Sequence, residues 1–191
     1  MRQTKQLSFV WFLLASSLIG MPAFGMSKPY PGPFIERPDL LIVLRQHAPE
    51  QIAAFYEARG FPAAAIERIK ATCFVTVHIK NRGDDVIWLD LAEWAFTRKD
   101  KPLERLDRSY WDNQWDSIKL RQASRSTFGW TQLPDVRDLQ PDEPVGGNLV
   151  FPGNTDRFDM KLKLPTGVDR QGEPIMLEFR DVECLKEVKA E

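Results

Sequence analysis

The stretch that decides the fold runs Cys73-Phe74-Val75-Thr76-Val77-His78-Ile79-Lys80. Cysteine, valine and isoleucine recur at every second position, while Thr76, His78 and Lys80 take alternate positions. Successive side chains of a strand point to opposite faces, so this pattern predicts a strand with one buried and one solvated face. Burial on one face is typical of antiparallel sheets, so the chain is expected to be built around one.

Further strands are predicted on both sides of clusters rich in Pro, Gly, Asp and Asn. Turn residues at Asn81–Asp85 lead into Val86–Leu91, which is expected to be the hairpin partner of the first stretch. Later strands are predicted at Phe128–Leu133, Asn148–Phe151, Phe158–Leu164 and Ile175–Cys184. In the last of these the apolar phase slips by one residue near Arg180 and Asp181, which predicts a β-bulge. Many short, one-sided strands indicate a mainly β chain and favour an antiparallel β-sandwich.

Helical spacing interrupts this pattern early in the chain. Apolar residues follow a helical period from Pro49 until Gly60, and a second short helix is predicted from Pro62 to Lys70. The two are expected to form an N-terminal helical hairpin. The apolar run Leu40–Leu44 before them is too short to assign by its period, although its Ile and Val favour a strand.

A third helix is predicted between residues 101 and 121, where apolar residues share one helical face. They are Trp111, Trp115 and Ile118. Ser109, followed three residues later by Asp112, is typical of a capping box at the start of such a helix. We expect this short helix to cross the sandwich. An extended, irregular segment is the alternative.

The later part of the chain also resembles a known group of domains. A proline-rich acidic turn and a glycine-flanked strand occupy Leu139–Phe151, and the alternating strand Phe158–Leu162 follows. This order resembles immunoglobulin-like, telokin-type β-sandwich domains of exported bacterial proteins. The resemblance covers the last third of the chain and includes no catalytic residues. It implies an immunoglobulin-like sandwich and a role in binding or assembly.

The start of the chain is typical of a secretory signal peptide. Arg2 and Lys5 precede the apolar run Leu7–Ile19, and small residues close the stretch that ends at Gly25. Cleavage after Gly25 is expected to leave a periplasmic or secreted protein without a membrane insertion. The alternatives are a retained membrane anchor, a buried core helix and translation that starts at Met26. The predicted organisation is a signal peptide at 1–25, a proline-rich arm at 26–38, a helical segment at 39–71 and a β-sandwich at 72–191.

Export bears on the two cysteines of the chain, Cys73 and Cys184. Disulfides form and persist outside the cytoplasm, so this pair is predicted to form a structural disulfide. Two buried free thiols, a redox-active pair and two thiolate metal ligands are the alternatives. The wide separation of the cysteines is unlike the short spacings that redox and metal sites use.

Charge and motifs exclude several functions. With 26 basic and 27 acidic side chains, the net charge is −1, and nucleic-acid-binding proteins usually have a basic excess. The two histidines, His47 and His78, lie in segments of different type and without a metal-ligand spacing, so we expect them at the surface. No metal, cofactor or catalytic residue is predicted.

Aromatic residues supply the best candidate binding site. Tyr110, Trp111, Trp115 and Trp130, together with Phe128, could line a groove for a carbohydrate or a hydrophobic ligand, although their spacing also fits a core. The sequence therefore favours an exported, non-catalytic binding or assembly module of the bacterial envelope, with an envelope protein or polymer as partner. The alternatives are an envelope-polymer hydrolase with an unrecognised active site, and a membrane-anchored accessory protein if the leader is retained.

Overall fold

The computed structural model of the chain describes residue 30 and residues 32–186. The predicted leader therefore lies outside the described residues. The strands are β1 (Phe34–Glu36), β2 (Leu40–His47), β3 (Thr72–Asn81), β4 (Ile87–Asp90), β5 (Ala95–Arg98), β6 (Lys101–Pro102), β7 (Val136–Leu139), β8 (Pro144–Pro152), β9 (Arg157–Leu164) and β10 (Ile175–Glu183). The α-helices are α1 (Pro49–Glu57), α2 (Ala63–Lys70), α3 (Arg108–Ser117) and α4 (Gln122–Trp130). No helix within 32–186 is long and apolar enough to cross a membrane.

Two antiparallel four-stranded sheets form a sandwich-like pair. We call the sheet with the order β1-β2-β3-β8 the inner sheet, and the sheet with the order β10-β9-β5-β6 the outer sheet. A two-stranded sheet of β4 and β7 packs beside them. The alternating apolar residues of β3 and β9 face each other across the space between the sheets and form the main core. Both stretches were predicted as half-buried strands, and the antiparallel, mainly β architecture is confirmed.

A layer of helices covers part of the other face of the inner sheet. Phe74 of β3 and Val150 of β8 point away from the sandwich core and pack into a second apolar cluster. The helices contribute most of this cluster. Their buried members are Ile52, Ala53, Tyr56, Ala65, Ile66, Ile69, Trp111, Trp115 and Phe128. The inner sheet is therefore buried on both faces at this end, and the described chain has three layers.

Cys73 and Cys184 form a disulfide between the two sheets. Cys73 belongs to β3 of the inner sheet, and Cys184 follows β10 of the outer sheet. Their Cα atoms lie 5.5 Å apart, and the two residues are 111 positions apart along the chain. Because both side chains are buried in the sandwich core, the bond is a structural link and leaves no free thiol within the described residues.

The bulge predicted near the end of the chain is confirmed. The register between β9 and β10 shifts between Phe179 and Val182. At the shift Asp181 has a left-handed φ of 53°, and its backbone N–H donates to the carboxylate of Asp159 at 2.9 Å. The bulge moves the apolar side chains of β10 back into the core after the phase slip.

The predicted hairpin between the first stretch and Val86–Leu91 is wrong. β4 (Ile87–Asp90) pairs with β7, and both edges of β3 are occupied, by β2 on one side and β8 on the other. The apolar run at Leu40–Leu44 forms the first five residues of β2. The segment 39–71, which was predicted to be helical, therefore begins with a strand of the inner sheet. An N-terminal helical hairpin is not confirmed. α1 and α2 nevertheless occupy the two predicted helical stretches.

The prediction of a strand at Phe128–Leu133 is also wrong, because this segment begins as the last turn of α4. Ser124 and Phe128 are four residues apart and both are buried, while Trp130 is exposed. That is the spacing of one helical face. Phe128 packs against the rings of Trp111 and Trp115, with centroids 4.6 Å and 5.1 Å away. These contacts with α3 outweigh the strand preference of its neighbours.

The third predicted helix exists as α3 but does not cross the sandwich. It lies in the helical layer beside α4. Its N-cap is Asp107 instead of the predicted Ser109, because the Asp107 carboxylate accepts a bond from the backbone N–H of Tyr110 at 2.9 Å. The Ser109 hydroxyl donates to the same carboxylate at 3.0 Å and so supports the cap without providing it.

Candidate functional site

A cleft of about 440 Å³ lies where the helical layer meets the β8 edge of the inner sheet. Its walls come from α3, the end of α4, the segment 132–137 that leads into β7, and β8. This volume falls in the range of small-molecule sites. Three separate parts of the chain form the cleft. Backbone N–H and C=O groups on the free edge of β8 bond to the other two parts.

The edge of β8 that pairs with no other strand of the inner sheet positions these walls. The backbone N–H of Asn148 donates to the carbonyl of Thr131 at 2.9 Å, and Leu133 N–H donates back to the Asn148 carbonyl at 3.0 Å. Gly147 permits this approach, because a Cβ at that position would lie 2.4 Å from the Leu133 nitrogen. The edge also accepts a bond from Leu106 N–H at the Val150 carbonyl, at 2.7 Å. The chain after α4 and the chain before α3 are thus fixed to the same strand.

Two of the predicted binding residues, Trp111 and Trp115, form the floor of the cleft. Their rings are stacked, with centroids 4.9 Å apart and planes 25° apart. They are only 3% and 1% exposed. These tryptophans therefore line the cleft and also belong to the apolar cluster of the helical layer. The spacing of these residues in the sequence fits either a groove or a core. In the structure the two tryptophans belong to both.

Trp130 is the most exposed aromatic residue of the described chain. It ends α4 at the rim of the cleft with 90% of its surface exposed. A large aromatic side chain gains free energy when it is covered, so an uncovered indole beside a cleft is typical of a contact site. Phe128, two residues earlier, is buried and lines the cleft from the helical side.

Tyr110 is not brought into the cleft lining. It is half-buried, and its ring meets Trp111 edge-on at 5.4 Å between centroids. The structure thus brings three of the four predicted binding residues together at the cleft. The disulfide residues Cys73 and Cys184 lie elsewhere, in the core between the two sheets.

Paired charges line the rim. Arg105 and Asp135 form an ion pair at 2.5 Å. Arg125 donates to Asp116 at 2.6 Å and to the Leu120 carbonyl at 2.9 Å. Arg137 pairs with Glu143. Each pair fixes a guanidinium at the cleft, so three of the arginines there are already neutralised.

Two charged residues of α3 have no such partner. Within the described part of the chain, neither Arg108 nor Asp112 forms an ion pair or a side-chain hydrogen bond, and both line the cleft. They are four residues apart, which places them on the same face of the helix. A donor and an acceptor are therefore available side by side at the rim.

The pKa of Asp107 is lowered, first by the backbone N–H of Tyr110 and then by the Ser109 hydroxyl. Asp107 lines the same cleft as a helix cap. A carboxylate that is held ionised accepts hydrogen bonds but does not donate a proton near neutral pH. Asp107 is therefore a hydrogen-bond acceptor at the cleft near neutral pH.

A hydrogen-bond chain beneath the cleft holds Asn148 in one orientation. The Thr76 hydroxyl donates to Asn148 Oδ1 at 2.6 Å, and His47 Nε2 lies 2.8 Å from the same hydroxyl. Because the hydroxyl proton is used for Asn148, Nε2 of His47 must be the donor in that contact. Burial, aided by Arg45, lowers the pKa of His47, so its ring is neutral with the proton on Nε2. His47 is half-buried in the structure, although a surface position was expected.

Tyr56 of α1 joins the helical layer to the segment after α4. Its hydroxyl lies 2.6 Å from Thr131 Oγ1. The Thr131 hydroxyl donates to the Phe128 carbonyl at 2.7 Å, so Tyr56 is the donor in its own contact with Thr131. Burial raises the pKa of Tyr56 to about 12 from its ordinary value of 10.0, against the opposing effect of side-chain hydrogen bonds with Thr131, Asn148 and Gln132.

The raised pKa of Tyr56 predicts a loss of stability in alkali. Its contribution is fully present below the unfolded-state pKa of 10.0 and is lost as the pH rises towards the folded-state value of about 12. The full difference corresponds to about 2–3 kcal/mol, of which about half is lost by about pH 11. Urea unfolding of the wild type and of Tyr56→Phe, followed between about pH 9 and pH 11, measures it. The stability advantage of the wild type over the variant should shrink over this range, and a constant difference would contradict the prediction.

Several residues at the cleft were missed by sequence reasoning. Arg108, Asp112 and Asn148 have no local pattern that distinguishes them from other surface or turn residues. Asn148 was included in a predicted strand, but nothing in its sequence neighbourhood shows that β8 is an edge strand. Trp130 could be predicted from the sequence because the indole is the largest flat apolar side chain and favours contact sites as well as cores.

Comparisons with known proteins identify no family for this chain. No protein-family model matches it, and no curated protein matches it at a significant level. Among solved structures, it is similar to the yjhA protein of Bacillus subtilis, with a TM-score of 0.37 and 10% identity over 68% of this chain and 76% of that chain. It is also similar to a candidate lipoprotein, ycdA, of Bacillus subtilis, with a TM-score of 0.41 and 12% identity over 78% of this chain but 39% of that chain. The immunoglobulin-like resemblance of the sequence is not confirmed.

Proposed function

We propose that the chain is an exported, non-catalytic binding module of the bacterial envelope, and that it holds its partner in the cleft beside Trp130. The observation that carries this proposal is the 90% exposed indole of Trp130 at the rim of a preformed cleft. Exposed aromatic side chains at such positions supply much of the binding energy of an interface. An envelope protein or an envelope polymer is the partner expected from the leader.

The construction of the cleft supports binding. Its floor is a buried stack of two tryptophans, and its polar wall is joined to β8 by backbone hydrogen bonds. A site that is ordered before its ligand arrives loses little conformational entropy on binding. The structural disulfide suits an oxidising compartment outside the cytoplasm.

Replacement of Trp130 by alanine is expected to weaken binding to envelope fragments by about tenfold or more, because one stacking surface is lost. The purified protein is incubated with washed bacterial envelope fragments, which contain membrane and wall, and the bound fraction is measured by sedimentation over a range of fragment concentrations. Since Trp130 is exposed, the variant should unfold at the same urea concentration as the wild type.

Val168→Ala is the matched control for this experiment. Val168 is 74% exposed and apolar, but it does not line the cleft. This variant should sediment with the fragments like the wild type. Equal binding by the wild type and Trp130→Ala, or equal loss in both variants, would refute a binding site at the cleft.

A further inference from the structure

The geometry points to a neutral glycan as the ligand of the cleft: an uncharged polyhydroxylated chain, one ring of which stacks on Trp130. This inference rests on the proposed function, because it names the ligand class of the same site. Three features of the described residues lead to it: the balance of charge, the mixture of free donors and acceptors, and the flat aromatic surface beside them.

The charge of the cleft is balanced. Four arginines line it, and they face three lining aspartates. Arg125 and Arg137 are paired in addition with Asp116 and Glu143. An anionic ligand needs an excess of unpaired cations, whereas of the four lining arginines only Arg108 lacks an ion pair within the described residues, and Asp112 stands beside it. The cleft therefore favours a ligand without net charge.

The polar groups of the lining suit hydroxyl groups. A sugar hydroxyl both donates and accepts, so it can bond a carboxylate and a guanidinium that are held close together. Arg108 and Asp112 provide this pair on one face of α3. A lipid tail would leave both charges buried without partners, which is costly. The charged rim thus argues against a purely apolar ligand.

The floor contains a further unpaired donor. Within the described residues, the indole nitrogen of Trp111 is buried and has no hydrogen-bond acceptor. Trp111 lines the cleft and is 3% exposed. A buried donor without a partner is unfavourable, and an acceptor oxygen that reached it from the cleft would relieve that cost. This need for an acceptor also fits a sugar.

Trp130 supplies the surface on which a ring can lie. The apolar C–H face of a sugar ring is flat and matches an indole, and the hydroxyl groups at its edge remain free for the rim. Because 90% of the Trp130 surface is exposed, the face of the indole is open to an extended chain.

The test is an isothermal calorimetric titration of the full exported protein with soluble oligosaccharides, which measures the binding affinity of each. Neutral oligomers of chitin and of cellulose are compared with an oligogalacturonate of the same length, which is carboxylated. Each titration is repeated at about 50 mM and about 500 mM salt, because charge-dependent binding weakens strongly as salt rises. We expect a neutral oligomer to bind best, with an affinity that changes by less than about twofold between the two salt concentrations.

Variants separate the contributions. Trp130→Ala should weaken binding of the neutral oligomer by about tenfold or more, and Trp130→Phe should retain most of it because a flat ring remains. Arg108→Gln and Asp112→Asn should each weaken it by about threefold to tenfold. Arg37→Gln is the control, since Arg37 is exposed, is paired with Asp39 and does not line the cleft.

The outcomes distinguish this inference from the proposed function. Preferential binding of the oligogalacturonate, or a fall of more than about tenfold in affinity between the two salt concentrations, overturns the neutral glycan. If envelope fragments bind in a Trp130-dependent manner but neither neutral oligomer does, the partner is of another class, and only the glycan inference fails. If neither fragments nor oligomers depend on Trp130, both fail.

Discussion

Replacing Cys73 and Cys184 together by alanine is expected to lower the free energy of unfolding by about 2–5 kcal/mol. The disulfide joins the inner sheet to the outer sheet across 111 positions, so its loss frees a long loop in the unfolded chain. Loop-closure entropy for such a length gives an upper value of about 5 kcal/mol. Both cysteines are buried, and alanine fits their sites with little loss of volume. Urea unfolding of the oxidised wild type and of the double variant measures the difference.

The reduced wild type is the control for the disulfide prediction. It retains both sulfur atoms but lacks the bond, so its stability should match that of the double variant. If the double variant does not fold, the wild type can be unfolded in urea at increasing thiol concentrations, which reports the same bond. A difference of less than about 1 kcal/mol between the oxidised and reduced wild type would show that the bond contributes little.

Phe74→Ala is expected to destabilise the protein by about 3–5 kcal/mol. Phe74 is 1% exposed and is the β3 residue that packs into the helical layer. Its ring lies 6.3–6.4 Å, between centroids, from those of Tyr56, Trp111 and Phe128. Removing the ring loses apolar burial and leaves a cavity between the inner sheet and three of the helices. Urea unfolding, with the loss of near-ultraviolet signal as readout, tests this.

His78→Ala is the matched control for Phe74→Ala. His78 lies on the same strand and the same face, four residues further along, but it is exposed. Its replacement should change stability by no more than about 0.5 kcal/mol. Similar effects at both positions would contradict a helical layer that covers only one end of the inner sheet.

Much of the fold follows from local patterns in the sequence. Alternation at Cys73–Lys80 and at Phe158–Leu164 predicted β3 and β9, and a phase slip predicted the bulge in β10. These predictions succeed because the direction of a strand side chain depends only on its own position in the chain. The same holds for the helical spacing that predicted α1 and α2.

The failures concern contacts between distant segments. β4 was assigned to β3 because hairpins usually join neighbouring strands, yet β2 and β8 already occupy both edges of β3. Phe128 was assigned to a strand because its neighbours favour one, yet its burial against α3 requires a helix. Nothing in either segment alone contains this information.

The candidate site shows the same division. The large aromatic residues, above all Trp130, could be proposed from the sequence because of their type. Their separation into a buried floor at Trp111 and Trp115 and an exposed rim at Trp130 could not. The exposure of an aromatic residue depends on what the rest of the chain places over it.

The sequence by itself determined which segments alternate and which are helical, since these periods are properties of the local backbone. It also predicted the disulfide between Cys73 and Cys184, with free thiols as an alternative, and the structure confirms the bond. Only the tertiary structure decided that β8 is an edge strand, that the segments around α3 and α4 are bound to it, and that a cleft remains between them. The physical reason is that the backbone groups of a strand edge need hydrogen-bond partners once the edge is covered, and which segment covers it depends on the whole fold.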